Sequence, residues 1–220
     1  MPPLARPYPR FIADSAQEPR PYGRWEERLT EAFAARCAGL AAEAGTGPDL
    51  GSIRYFPERT WGGRTFVPAV APGAAAVDGA MPEFFGHVSF HRADGGEPEE
   101  MVAAADFTDV TAEANPDWQV DLNDDVIGRW RADGGRGGDI TLIWGTPLVR
   151  GALAATAELD GEVVDQAGVS DGRFTLVAVD AVHGFGDDHF LEVRLWNRKL
   201  QEVACESLYA DDEDGEAGAG

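Results

Sequence analysis

Lysine is almost missing from this chain of 220 residues: Lys199 stands alone beside seventeen arginines. Together they make 18 cations against 39 Asp and Glu, a formal net charge of -21. A field of that sign repels phosphate backbones and anionic lipid, which argues against nucleic acid and membrane surfaces as partners. Cysteine is scarce too. Cys37 and Cys205 have no metal-type spacing and are too few for a disulfide framework, so both are expected as buried thiols in a reducing compartment. No run of about 18 apolar residues occurs, which argues against a helical membrane span. The opening "MPPLARPYPR" has no apolar stretch of the length a secretory leader needs, so the expected location is the cytoplasm. Nucleophile and phosphate signatures are missing as well. There is no G-x-S-x-G elbow and no Walker loop, and "GGRGG" at 134–138 lacks the strand and helix flanks of a phosphate cradle.

Glycine (27) and proline (14) are plentiful beside a hydrophobic fraction of 44%, the composition of a folded, turn-rich chain rather than a helical bundle. The alanine and glycine load, with arginine in place of lysine, points to a GC-rich bacterial genome. Charge is unevenly spread: residues 1–36 hold six arginines and five acids, while residues 37–220 hold twelve cations and thirty-four acids. Six prolines in residues 1–23 remove backbone donors and fix φ, which predicts an extended arm. From Arg24 to Ala44, the residues Trp25, Leu29, Phe33, Cys37, Leu40, Ala41 and Ala44 form one apolar stripe, predicting a single long helix closed by Gly45. The stretch "APGAAAVDGAMP" at 71–82 reads as a mobile loop or an insertion between strands.

Beyond it the period changes to two. Strands are predicted at "GHVSFH", "MVAAADFTDV", "DITLIW", "GALAATAEL", "FLEVRLWN" and "QEVACESLY", with "RFTLVAVDAV" as a central strand because it is apolar on both faces. The steps Asp160-Gly161 and Asp171-Gly172 are hairpin signals. The acidic run at 211–220 is expected to be a disordered tail. The fold class is therefore α+β: a mostly antiparallel sheet or sandwich with one long N-terminal helix packed on it, as a single domain over residues 24–210.

The candidate sites begin with "NPDWQVDLNDDVIGRWR" at 115–131. Trp118, Val120 and Leu122 alternate with Asp117, Gln119, Asp121 and Asn123, the pattern of a half-buried strand. With Asn123, Asp124 and Asp125 as a three-residue loop, the stretch becomes a hairpin that sets Trp118 opposite Trp130 and Asp117 opposite Arg131. A short helix capped by Asn115 is the competing local reading. Two carboxylates beside aromatic platforms are what a glycosidase-type hydrolase needs, which makes Asp117 with Asp121 the catalytic candidates; Asp106 with Asp109 is the other such pair. Trp118, Trp130, Arg129 and Arg131 are the substrate-binding candidates. The run Asp121-Leu-Asn123-Asp-Asp125 resembles the first ligands of an EF-hand loop, but Val126 and Ala132 stand where that loop needs glycine and glutamate. His87 and His91 share a strand face about 13 Å apart, too far to grip one zinc ion. "HGFGDDH" holds His183, Asp187, Asp188 and His189 in a glycine-punctuated loop, the candidate metal site.

No convergent catalytic constellation emerges. The expected function is a non-catalytic binding or protein-interaction module with no cofactor, taking a protein or small-molecule ligand. The alternatives are a carboxylate-dependent hydrolase and a metal-dependent enzyme using residues 183–189.

Overall fold

A computed structural model describes residues 24–77, 81–92, 98–131, 137–179 and 191–208. Helix α1 (Arg24–Cys37) begins with Glu26 and Glu27 and ends with Arg36, charges placed to favour the helix dipole. Its buried Leu29, Phe33 and Cys37 recur every four residues on one face. The predicted single helix to Ala44 is instead broken. A turn at 38–40 interrupts it, and one further turn, α2 (Ala41–Ala44), follows before Gly45. Gly39 in the break has no side chain to pack and a high conformational entropy, so the helix has little reason to continue there.

Among the described residues twelve strands follow: β1 (Arg54–Tyr55), β2 (Arg59–Trp61), β3 (Arg64–Pro72), β4 (Glu83–Arg92), β5 (Pro98–Thr108), β6 (Val120–Arg131), β7 (Gly137–Pro147), β8 (Ala154–Leu159), β9 (Glu162–Gly168), β10 (Phe174–Val179), β11 (Leu191–Trp196) and β12 (Glu202–Ser207). All pairings are antiparallel. The first sheet runs β1-β3-β4-β5 with β2 also on β3, the second β10-β7-β6, and the third β12-β11-β8-β9.

Three cores stack these sheets in layers. Leu29, Phe33 and Cys37 of the helix pack on Val67, Ala69, Phe84, Val88 and Phe90 of the first sheet. The opposite face of that sheet, with Phe66 and Val70, meets Ile140, Leu142, Trp144 and Val177 of the second. Ile143, Phe174, Leu176 and Ala178 then meet Ala155, Ala157, Leu191, Val193 and Leu195 of the third. The order is helix, sheet, sheet, sheet, with the second sheet covered on both sides. Double burial explains why "DITLIW" and "RFTLVAV" carry apolar residues on both faces.

Strand β10 is nonetheless not a central strand: it ends the order of its sheet. Side chains close its free edge instead. Arg59 donates from Nε to the Thr175 carbonyl (3.0 Å), and Asp165 Oδ2 accepts from the Val177 N–H (2.8 Å). Arg59 and Asp165 are themselves paired at 2.9 Å. Pro68 sits inside β3, where its missing donor does no harm. Phe56 N–H donates to the Pro68 carbonyl (2.9 Å), so Pro68 turns its backbone toward the gap between the short strands β1 and β2 rather than toward β4.

Two loop expectations change. The described part of "APGAAAVDGAMP" is pinned, with Asp49 N–H on the Pro72 carbonyl, Gly73 N–H on the Pro82 carbonyl and Ala74 N–H on the Gly47 carbonyl, at 2.7, 2.7 and 2.8 Å. Residues 115–131 are no hairpin around Asn123. Asn115 to Asp117 form a turn, and Val120–Arg131 is one strand pairing with β7 from Val120↔Pro147 to Arg131↔Gly137. Trp118 and Trp130 therefore lie near opposite ends of β6, roughly 30 Å or more apart at strand rise. The hairpin reading placed the polar face of this segment in water, whereas that face lies against the first sheet.

Candidate functional site

The polar face of β6 meets β4 across the first two layers. On β4, Glu83, Phe85 and His87 point toward the second sheet, because Phe84, Val88 and Phe90 are committed to the helix side. On β6, Asp121, Asn123 and Asp125 share the side of Trp144 and Leu142, their cross-strand neighbours Thr146, Trp144 and Leu142 fixing the register. Charged partners consequently meet at two rungs, each set four residues apart on both strands.

The first rung holds Glu83 and Asp121 with Arg54 of β1. Arg54 Nη2 lies 3.0 Å from Glu83 Oε2, and the Glu83 side chain is only 15% exposed. Burial first, and the Asp121 charge second, push the Glu83 carboxyl up to about 7, against the pull of Arg54. Asp121 is also raised, by burial, with Arg54 opposing. One guanidinium thus serves two carboxylates, and one proton balances the cluster. In the second rung His87, buried edge-on to Phe66, has Nδ1 3.2 Å from Asp125 Oδ2. No hydrogen bond forms between them. Asn123 between the rungs is buried. Asp124, on the other face, is raised by burial and by Asp125.

Beyond the seam the first sheet is wider than the second. β6 stands over β4, and β5 extends past it. On the side of β5 that faces the second sheet, Val102, Ala104 and Asp106 stand opposite Ser89, His87 and Phe85. Val102 is 57% exposed and Asp106 is exposed, so this strip forms the floor of a ledge. The outer edge of β6 is its wall, and it pairs with no strand among the described residues. Residues 93–128, a range that includes β5, its connection to β6 and β6 as far as Gly128, contain eleven acids and no Lys, Arg or His; Arg129 and Arg131 lie at the far end of β6. That cation-free run is the sequence signal that marks the ledge. Two cations of neighbouring strands are already engaged beside it: Arg54 of β1 on Glu83, and Arg64 of β3 on the Ser89 and Glu100 carbonyls.

The remaining sequence candidates are dispersed. Asp117 is exposed in the turn before β6, and Trp118 is half-buried beside it. Trp130 packs partly against the core between the first two sheets. Arg129 is exposed, with Nε 2.9 Å from Asp139 Oδ1. Arg131 is the last residue of β6, opposite Gly137. Asp106 accepts from the Phe107 N–H, and His91 lies near the Gly63 carbonyl and Glu100. His183, Asp187, Asp188 and His189 lie outside the described residues. Among the described residues no group of three or more His, Cys, Asp or Glu side chains is placed to hold a metal ion. No helix among them is long and apolar enough to cross a membrane.

A second charged cluster lies on the outer face of the third sheet. Arg194 donates from Nε to Glu158 (3.0 Å), from Nη1 to Glu202 (2.7 Å) and from Nη2 to Glu192. Glu158 is 2% exposed and also accepts from Thr156 Oγ1, which in turn accepts from Trp196 Nε1 (2.8 Å). Burial works against the Arg194 charge, but the hydrogen bonds to Glu202 and Glu192 outweigh it. Burial first lifts the Cys205 thiol here to about 11, which makes it a poor nucleophile. Every guanidinium nitrogen is engaged, so this is a closed structural network rather than a site. No family model, curated protein or solved structure matches the chain.

Proposed function

We propose that this protein is a cytoplasmic, non-catalytic binding module, and that the ledge beside β6 receives an extended cationic segment of a partner protein as a fourth strand of the second sheet. The observation that carries this reading is the overhang of β5 past the edge of β6, which pairs with no strand among the described residues. A strand laid there pairs its backbone with β6 and rests its alternate side chains on Val102 and Ala104. The cation-free run selects the sign of the partner: arginine or lysine side chains reach Asp106 and the β6 carboxylates, and an acidic segment is repelled.

The test is fluorescence anisotropy with a labelled peptide alternating arginine and valine, and with its glutamate–valine counterpart, at 150 mM salt. The cationic peptide is expected to bind, and Val102→Arg with Asp106→Arg to weaken it at least tenfold without unfolding the protein, since both side chains are exposed. Equal binding of both peptides, or binding indifferent to the double substitution, overturns the reading. A second reading, a carboxylate-dependent hydrolase, draws support from Glu83 poised at about 7 beside Asp121. In it Glu83 replaces Asp117 as the partner of Asp121. Turnover of neutral glycosides or esters that vanishes in Glu83→Gln supports it, and no turnover in the wild type removes it.

A further inference from the structure

We infer that the seam between the first and second sheets is a proton-operated clasp, in which one proton held by the Glu83–Asp121 pair keeps β6 seated on β4 and its loss loosens β6. This stands whatever the ledge binds.

The geometry is that of a contact poised between two states. Elsewhere the two sheets meet through Phe66, Val70, Leu142, Trp144 and Val177, which are indifferent to pH. Along Val120–Asp125 of β6 they meet through carboxylates and a histidine, before Ile127 and Trp130 return to the apolar core. The groups facing Glu83 are Arg54 from β1, Asp121 from β6 and Asp106, its diagonal neighbour on β5. Arg54 is the one cation among them. With both carboxylates of the first rung ionised, that rung carries a net charge of -1 in a site where burial disfavours charge; with one proton it is neutral. The second rung, with His87 Nδ1 3.2 Å from Asp125, lies further along the same pair of strands. Among the described residues β6 has one ladder, to β7; its other attachments are this seam, the packing of Val120 and Leu122 against the third sheet, and that of Ile127 and Trp130 against the core beside the first.

The direction follows from linkage. When the seam opens, Glu83 returns to the ordinary carboxyl value of 4.5, whereas in the closed seam it titrates at about 7. The closed state therefore holds the extra proton between those values. Its advantage is complete below 4.5 and is lost as pH rises through 7. Between pH 6 and pH 8 this difference alone raises the open fraction about tenfold.

Hydrogen exchange of the backbone amides tests the clasp. After correction for intrinsic exchange, the ladder-bonded amides of Val120–Val126 in the wild type are expected to lose about tenfold in protection between pH 6 and pH 8, together with the β7 amides in the same ladder, while Val193–Leu195 of β11 are unchanged. In Glu83→Gln the loss is expected to disappear, with β6 protected at both pH values. Asp121→Asn, which removes the repulsion but leaves Glu83, is expected to reduce it and serves as the second variant if the first does not fold. Protection of β6 that is the same at both pH values in the wild type, or that falls as steeply in the variants, overturns the inference.

Discussion

Gly86 lies mid-strand in β4, between Ala69 of β3 and Ala105 of β5, with φ at +156°. The mirrored backbone swings the position of a Cβ out of its usual place above the sheet and into the neighbouring strand. A methyl group at Gly86 would lie 2.1 Å from the Ala104 carbonyl oxygen, 2.6 Å from Ala105 Cα and 2.9 Å from the Ala104 carbonyl carbon. All three atoms are backbone, so no side chain can rotate away. Relief requires β5 to separate from β4, breaking ladder bonds beneath the helix. Overpacking in a core costs about 1–3 kcal/mol, and a strained backbone conformation adds about as much again. Gly86→Ala is therefore expected to destabilise by about 3 kcal/mol or more. For a domain of this size that lowers Tm by roughly 6–12 °C, read by circular dichroism or calorimetry. The control is Gly161→Ala in the β8–β9 turn, where φ is +80° but no atom lies within 4 Å. Only the left-handed conformation is penalised there, at roughly 1–2 kcal/mol. If Gly86→Ala melts no lower than Gly161→Ala, the close approach of β4 and β5 is wrong.

Two further substitutions probe how edges and charges are satisfied. Asp165→Ala removes the acceptor of the Val177 N–H and the partner of Arg59, and should cost about 1–3 kcal/mol in urea unfolding. An unchanged midpoint would mean that β10 has no need of its side-chain edge. Arg194→Met leaves Glu158, Glu192 and Glu202 without their shared cation, and removing one partner of a buried ion pair costs about 3–5 kcal/mol. Adding Glu158→Gln should recover part of that loss, and a purely additive double variant would refute the coupling.

What the sequence disclosed depended on whether one face of each element met water. The α1 stripe was legible because the far side of the helix is polar, and "FLEVRLWN" was legible because Leu191, Val193 and Leu195 point into one core. Its other face is buried as well, with Arg194 held there against Glu158 of β8, which alternation alone does not show. The strand β3 went unread because Pro68 argues against a central strand, and only the split of its neighbour into β1 and β2 makes proline tolerable at that position. Asp121 emerged as a candidate through its place in an alternating acidic run, yet its partner Glu83 and their cation Arg54 lie on strands far upstream. No local spacing encodes a contact made by stacking two sheets. The same limit produced the hairpin error at residues 115–131. Alternation identifies which side chains share a face, but whether that face meets water or another sheet is decided by how many layers the chain builds. Here the third layer takes the apolar side of β6, and the polar side is left to be neutralised against β4. A strand whose polar face must be balanced by protons and one arginine is held less firmly than its apolar neighbours, which makes β6 the place where binding and pH are best able to act on this fold.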